Sequence, residues 1–259
     1  MAVLEVQGAQ VLVRALNLLV LLRERGKPVP VAELAAALEL PQSSLYRLLQ
    51  ALESAGLVDR NAPGHVQLGL QLLELASAVE ERIEADVVPV AAPVMGSLTR
   101  ALDLTSLLTM RAGSNAVCVY SVQSRRPIRL SFAPGRHVPL FGGASGRILL
   151  PWAPERVLRR LLAQQDSWVM ASGQVLTTAA IAASLAQARK TGYMISRGEV
   201  DPGVVAIAAP VLLPDGRLWA GLSIAGPEEQ FPAERVPEMA AAVRAHAESI
   251  ASALQPRQA

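Results

Sequence analysis

Apolar side chains recur at helical spacing over residues 10–25, where Val11, Ala15, Leu18, Leu19 and Leu22 share a face and Gly26 with Pro28 ends the run. A shorter stretch, 31–39, places Val31, Leu34, Ala35 and Leu38 together. Pro41 breaks that pattern where a third helix would take its first turn. The third helix then runs through Leu45, Leu48, Leu49 and Leu52, and Gly56 caps it. Two strand-like runs, 57–60 and 65–68, flank Asn61-Ala62-Pro63-Gly64, which reads as a hairpin connection. A long helix is predicted over 69–84, ending before Pro89.

The texture changes near residue 86. A helix at 90–102 precedes strand-like runs at 105–111, 117–123 and 128–132. The glycine-rich bend at 142–146 opens a helix near 145–151. Further helices fit 154–163, 179–191 (stopping at Gly192) and 233–254. Between the last two, apolar strands at 204–213 and 218–225 flank the turn Pro214-Asp215-Gly216. The expected fold class is therefore α+β in two domains: a winged helix-turn-helix at 1–69, a linker helix at 70–85 and an α/β domain at 86–259.

Composition narrows the chemistry. A length of 259 residues favours two domains, and a 51% hydrophobic content makes a sizeable core easy to build. Cys118 is the single cysteine, which excludes an intrachain disulfide, and one Cys with three His excludes a zinc finger. No signal peptide is recognisable and no apolar run is long enough for a membrane span, so a cytoplasmic protein without membrane contact is expected. Neither a cofactor nor a metal is expected. Net charge is +2, but residues 1–85 carry seven basic and ten acidic groups, so charge alone does not single out a nucleic-acid binder.

Organisation does. Helix, helix, turn, helix and hairpin, in that order, is the winged helix-turn-helix arrangement, whose third helix enters the major groove. Its outward face carries Gln42, Ser43, Ser44, Tyr46, Arg47 and Gln50, side chains that can bond base edges or phosphates. Arg14 on the first helix and Arg60 and His65 at the hairpin edges are candidate phosphate contacts. The expected partner is double-stranded operator DNA.

Residues 13–75 resemble the N-terminal domain of the IclR family of bacterial transcription regulators. The telling parts are Leu-Pro-Gln-Ser-Ser-Leu-Tyr-Arg-Leu-Leu at 40–49 and Gln-Leu-Gly-Leu-Gln-Leu-Leu-Glu-Leu at 67–75. Residues 137–150 and 191–226 are similar to the family's later segments, so the resemblance spans about 10–254. It implies a GAF-like effector-binding domain, a linker helix, and homodimers that pair into homotetramers. It also implies a small-molecule effector in a cup over the sheet.

In that resemblance Ala144 and Ser145, at the glycine-rich bend, offer backbone amides to a carboxylate. Other polar positions of the cup fall on Ser196, Ala206, Ser223 and Ala225; relatives that bind small oxoacids carry Asp, Cys, Ser and Ser there, and only Ser223 is kept. Leu130, Val138 and Val204 match the apolar rim, and Phe141 stands where the family often has His. A cup this apolar is expected to take an aromatic or other hydrophobic acid or a related compound. Arg125, Arg126, Arg129 and Arg136 crowd one expected hairpin and could attract an anion, but also suit a solvated loop or subunit interface.

Two rival readings carry less. A hydrolase would need Ser145 as nucleophile, yet Gly143-Ala144-Ser145-Gly146-Arg147 misses the Gly-x-Ser-x-Gly elbow at its last position. His65, His137 and His246 lie in three separate elements, and Cys118 sits within an apolar run, so no catalytic residue is assigned. An architectural DNA-binding protein without ligand would not need so large a second domain.

Overall fold

The computed structural model describes residues 9–61, 64–125, 130–163 and 166–254. The chain divides into two compact units, Met1–Arg82 and Ile83–Ala259.

In the first unit α1 (Gln10–Arg25) ends at Gly26, whose N–H closes on the Leu22 carbonyl. A two-residue strand, β1 (Val29–Pro30), leads into α2 (Val31–Ala37). The expected helix at 31–39 stops two residues early. Leu40 N–H reaches back to Ala35 O at 3.0 Å, and Glu39 adopts a left-handed φ of 52°, which reverses the chain. Pro41 then starts α3 (Gln42–Ser54). The hairpin β2 (Val58–Asn61) and β3 (His65–Leu68) joins β1 in an antiparallel sheet of order β1-β3-β2. Ala62 and Pro63 of its connection lie outside the described residues. Leu18, Leu34, Leu45, Leu49, Val58 and Val66 are fully buried and hold the three helices against the sheet. This is a winged helix-turn-helix.

Helix α4 (Gln71–Asp86) runs across the boundary between the units and buries no side chain, leaving Leu73, Leu75 and Val79 exposed.

The second unit opens with α5 (Val88–Leu102), β4 (Thr105–Ala112) and β5 (Asn115–Val122). Of the strand expected at 128–132, residues 128 and 129 lie outside the described residues, Leu130 is irregular, and Ser131 and Phe132 form a bend instead. A short strand follows, β6 (His137–Pro139), then α6 (Gly143–Arg147). The helix expected near 145–151 thus begins earlier and spans five residues; Leu149 and Leu150 amides close tight turns onto Gly146 and Arg147 before Pro151. Helix α7 (Glu155–Leu162) precedes the small hairpin β7 (Ser167–Val169) and β8 (Val175–Thr177). Then come α8 (Thr178–Thr191), β9 (Met194–Arg197), β10 (Val204–Leu212), β11 (Leu218–Pro227) and α9 (Val236–Ala253).

The main sheet is antiparallel, of order β6-β5-β4-β11-β10-β9. Strand alternation splits its side chains between two cores. Val205, Ile207, Val211, Leu222 and Ile224 pack with Met95 and Leu98 of α5 and Val243 and Ile250 of α9. Leu107, Ala208 and Ala225 face the other way, towards Ala144, Ile148 and Leu185. That second face carries the bend at the start of α6.

Candidate functional site

Two places gather the residues that the sequence marks as functional. The first is α3. Leu45 and Leu49 are fully buried and Leu52 nearly so, which fixes the roll of the helix. Gln42, Ser43, Tyr46, Arg47 and Gln50 are exposed on the opposite side, and Ser44 is half-buried. No side chain caps the first turn, so its leading amides are open to an outside acceptor. Arg14 is exposed on α1. Arg60 is engaged differently: its Nε donates to Glu53 Oε2 at 2.9 Å, and a second guanidinium nitrogen contacts the same oxygen. This pair ties the wing to the end of α3 and holds the Glu53 carboxyl below the usual carboxylate range, chiefly through that hydrogen bond. His65 is half-buried in β3, opposite Asn61 of β2 and Pro30 of β1.

The second place is a cavity of about 30 Å³ beneath the bend. Seven of the predicted cup residues line it: Leu130, Ala144, Ser145, Ser196, Val204, Ala206 and Ala225. Three do not. Val138 lies outside the lining, beside Gly142. Phe141 is turned onto Trp168, with ring centroids 4.4 Å apart. Ser223 is fully buried behind Ser145, whose Oγ donates to Ser223 Oγ at 2.8 Å.

Gly143 makes this geometry available. Its φ is +67°, and a β-carbon there would lie 2.8 Å from Val200 Cγ2. Only glycine meets both demands, and the bend therefore delivers the amide of Ala144 into the cup. That amide donates to Ser196 Oγ at 2.8 Å. The bend's buried donor is thus held by a hydroxyl from the edge strand β9.

Sequence reasoning missed the acidic wall. Glu199 and Asp201 line the cavity, with Val200 between them. Glu199 receives Arg147 Nη2 at 2.8 Å in a two-pronged pair, and the two side chains are only 4% and 7% exposed. Arg147 also donates to Phe141 O at 3.2 Å, while its Nε is buried without a partner among the described residues. Asp201 accepts the Ser131 N–H at 3.0 Å, which anchors the segment carrying Leu130 and Phe132. The available signal was an acid–apolar–acid triplet between Gly198 and Gly203, both at positive φ.

The arginine cluster does not form the cup. Arg125 and Arg136 are exposed and absent from its lining, and Arg126 and Arg129 lie outside the described residues. Cys118 is buried, and desolvation pushes its thiol up to about 12, which removes it as a nucleophile at neutral pH. Among the described residues no helix is long and apolar enough to cross a membrane, and no cluster of metal-ligating side chains occurs.

Comparison with known proteins agrees over both units. Residues 11–62 match the family model for the IclR helix-turn-helix domain, and residues 82–252 match that for the bacterial transcriptional regulator IclR C-terminal domain. The chain is 31% identical over 214 residues to the HTH-type transcriptional regulator KipR of Bacillus subtilis, covering 83% of this chain and 85% of KipR. A crystal structure of an IclR family transcriptional regulator from Brucella abortus shares the fold with a TM-score of 0.80 at 22% identity, covering 96% of this chain and 94% of that one. An IclR homolog from Microbacterium hydrocarbonoxydans, crystallised with 4-hydroxybenzoate, superposes with a TM-score of 0.67 at 22% identity, covering 94% and 98%. The chain belongs to the IclR family, as a DNA-binding transcription regulator rather than an enzyme.

Proposed function

We propose that this regulator reads DNA with α3 and senses an aromatic or other hydrophobic acid, or a close relative of one, in the cup beneath α6. Residues 1–69 are the reading head, 70–85 the linker and 86–259 the sensor. Arg47, Gln50, Tyr46, Gln42, Ser43 and Ser44 face the major groove, and Arg14 and His65 approach phosphates. Arg60 acts through Glu53, setting the angle of the wing, as well as near the backbone.

The observation that carries the effector reading is the bond from the Ala144 amide to Ser196 Oγ inside a mainly apolar cavity. A ligand carboxylate is a stronger acceptor than a hydroxyl and takes that amide, together with that of Ser145. Leu107, Leu130, Phe132, Val204 and Ala225 then enclose the hydrophobic body. The relative crystallised with 4-hydroxybenzoate supports this ligand class. Working in the cytoplasm as a homodimer, with two dimers forming a tetramer, the protein places its heads on half-sites about 34 Å apart or a multiple of it. The uncovered apolar side chains of α4 support such pairing. Ligand changes the spacing of the heads, a coupling between two sites.

Isothermal calorimetry and thermal shift with benzoate, hydroxybenzoates and phenylacetate, set against glyoxylate and pyruvate, test the cup. Saturable binding of an aromatic acid that alters affinity for DNA upstream of the gene is the expected result. Tight binding of the small oxoacids alone overturns the ligand class.

A further inference from the structure

A second cleft lies elsewhere in the sensor unit. It has a volume of about 410 Å³, within the range of small-molecule sites. Its charge is opposite to that of the cup. The cup is lined by Glu199 and Asp201 and by no cation, whereas Arg189, Lys190 and Arg244 line the cleft against one carboxylate, Glu248.

Two of these cations have a local reason to be there. Arg189 and Lys190 occupy the last turn of α8, where positive charge complements the helix dipole. Arg244 has no such reason. It comes from α9, and its side chain lies across Gly192, where a β-carbon would stand 2.9 Å from Arg244 Nε. The glycine that ends α8 therefore also makes room for a third cation. Among the described residues, neither Lys190 nor Arg244 has a hydrogen-bond or ion-pair partner, Glu248 included.

Arg189 is fixed in advance. Its Nε donates to Pro151 O at 2.6 Å, and its guanidinium sits 5.8 Å from the centre of the Trp152 ring. Stacking and one hydrogen bond leave the terminal nitrogens free in the plane that suits a carboxylate or phosphate.

The cleft also borders a strand edge, which could invite an added strand. Pairing of β10 with β9 ends at Ala208 opposite Met194. Val204 O accepts Gly198 N–H, so even-numbered residues of β10 present their polar groups to that edge. The next such residue beyond Ala208 is Pro210, which has no N–H to give. A compact ligand held by side chains fits the cleft, and a peptide strand does not.

We infer that the cleft formed by Trp152, Arg189, Lys190 and Arg244 is a second effector site, taking a small dianion such as a dicarboxylate or a phosphate monoester. The shared chemistry is two negative charges on oxygen, spread over three cations that line one cleft. It is independent of the cup and of the acid proposed there.

The test is calorimetry on the full-length protein with sodium phosphate, glycerol phosphate and sodium succinate, each against sodium chloride at equal ionic strength. Wild type should bind one of them saturably, with a dissociation constant at or below about 1 mM, and with a change in tryptophan fluorescence that Trp152→Phe abolishes. Lys190→Ala with Arg244→Ala should weaken binding at least about tenfold while moving the unliganded melting temperature by no more than a few degrees, since both side chains are exposed and only Lys190 supports the end of α8. Binding by phosphate and its ester alone, or by succinate alone, identifies the source of the charge. Absence of saturable binding for all three overturns the site, as does undiminished binding in the double variant. Calorimetry with benzoate on the Lys190→Ala/Arg244→Ala variant reports on the cup separately, so failure of one site is distinct from failure of the other.

Discussion

The proposed reading face of α3 and the proposed effector cup beneath α6 solve opposite problems. On α3 the side chains proposed to read DNA are exposed, apart from half-buried Ser44, and the Arg60–Glu53 pair nearby is the one ion pair that ties this region to the wing among the described residues. In the cup most polar groups are buried and already paired: Ala144 N–H by Ser196, Ser145 by Ser223, and the terminal nitrogens of Arg147 by Glu199 and Phe141 O, with only Arg147 Nε left over among the described residues. Buried polar groups must be paired, so in the cup function and stability share atoms. Substitutions on α3 should change binding alone, whereas substitutions in the cup should change stability and binding together.

The largest effect should come from Glu199→Ala. It strands Arg147, whose side chain is 4% exposed, and should destabilise the sensor by about 3–5 kcal/mol in urea unfolding. Adding Arg147→Met should recover much of that loss; continued instability of the double variant would show that the pair matters through geometry rather than charge. Arg47→Ala should do the reverse. Stability should stay within about 0.5 kcal/mol of wild type, while operator affinity, read by fluorescence anisotropy, falls by about 1–3 kcal/mol. A matching loss of stability would erase the contrast.

Ser196→Ala sharpens it. The Ala144 amide loses its acceptor inside the protein, which should cost about 1–3 kcal/mol. An aromatic carboxylate restores an acceptor, so its thermal shift should be larger in this variant than in wild type. Equal shifts would mean that the ligand never meets the amide. Cys118 gives the smallest effect, with a distinct pH signature. Its thiol is raised from 9.0 to about 12, so stability is full below about pH 9 and falls as pH rises towards 12. Between about pH 8 and about pH 10 wild type should lose about 1.4 kcal/mol more than Cys118→Ala.

The first unit was legible because its signals are local. Apolar spacing, Pro41, Gly26 and Gly56 each act within a turn or two. What escaped there was β1, two residues long and ending in proline, which becomes a strand only because β3 pairs with it. In the second unit β10, β11, α8 and α9 announced themselves by long apolar runs. Strand β9 is four residues long and owes its existence to β10. The cup was legible as a set of positions and illegible as a network. Nothing local to Arg147 points to Glu199, 52 residues away, and nothing in Ser223 reveals that Ser145 will cover it. Phe141 read as a cup residue in a position where the family often has His, but the β7–β8 hairpin supplies Trp168, and the ring packs there instead.

The cup's free space of about 30 Å³ is small beside the several hundred Å³ of most small-molecule sites. To seat a benzoate-sized molecule in full, the walls of such a cup should part first. Association should then be timed by the protein and not by the solute. In stopped-flow mixing the observed rate should climb with ligand concentration and level off at the opening frequency. The plateau sets how quickly a promoter can respond to a sudden pulse of metabolite, however large the pulse.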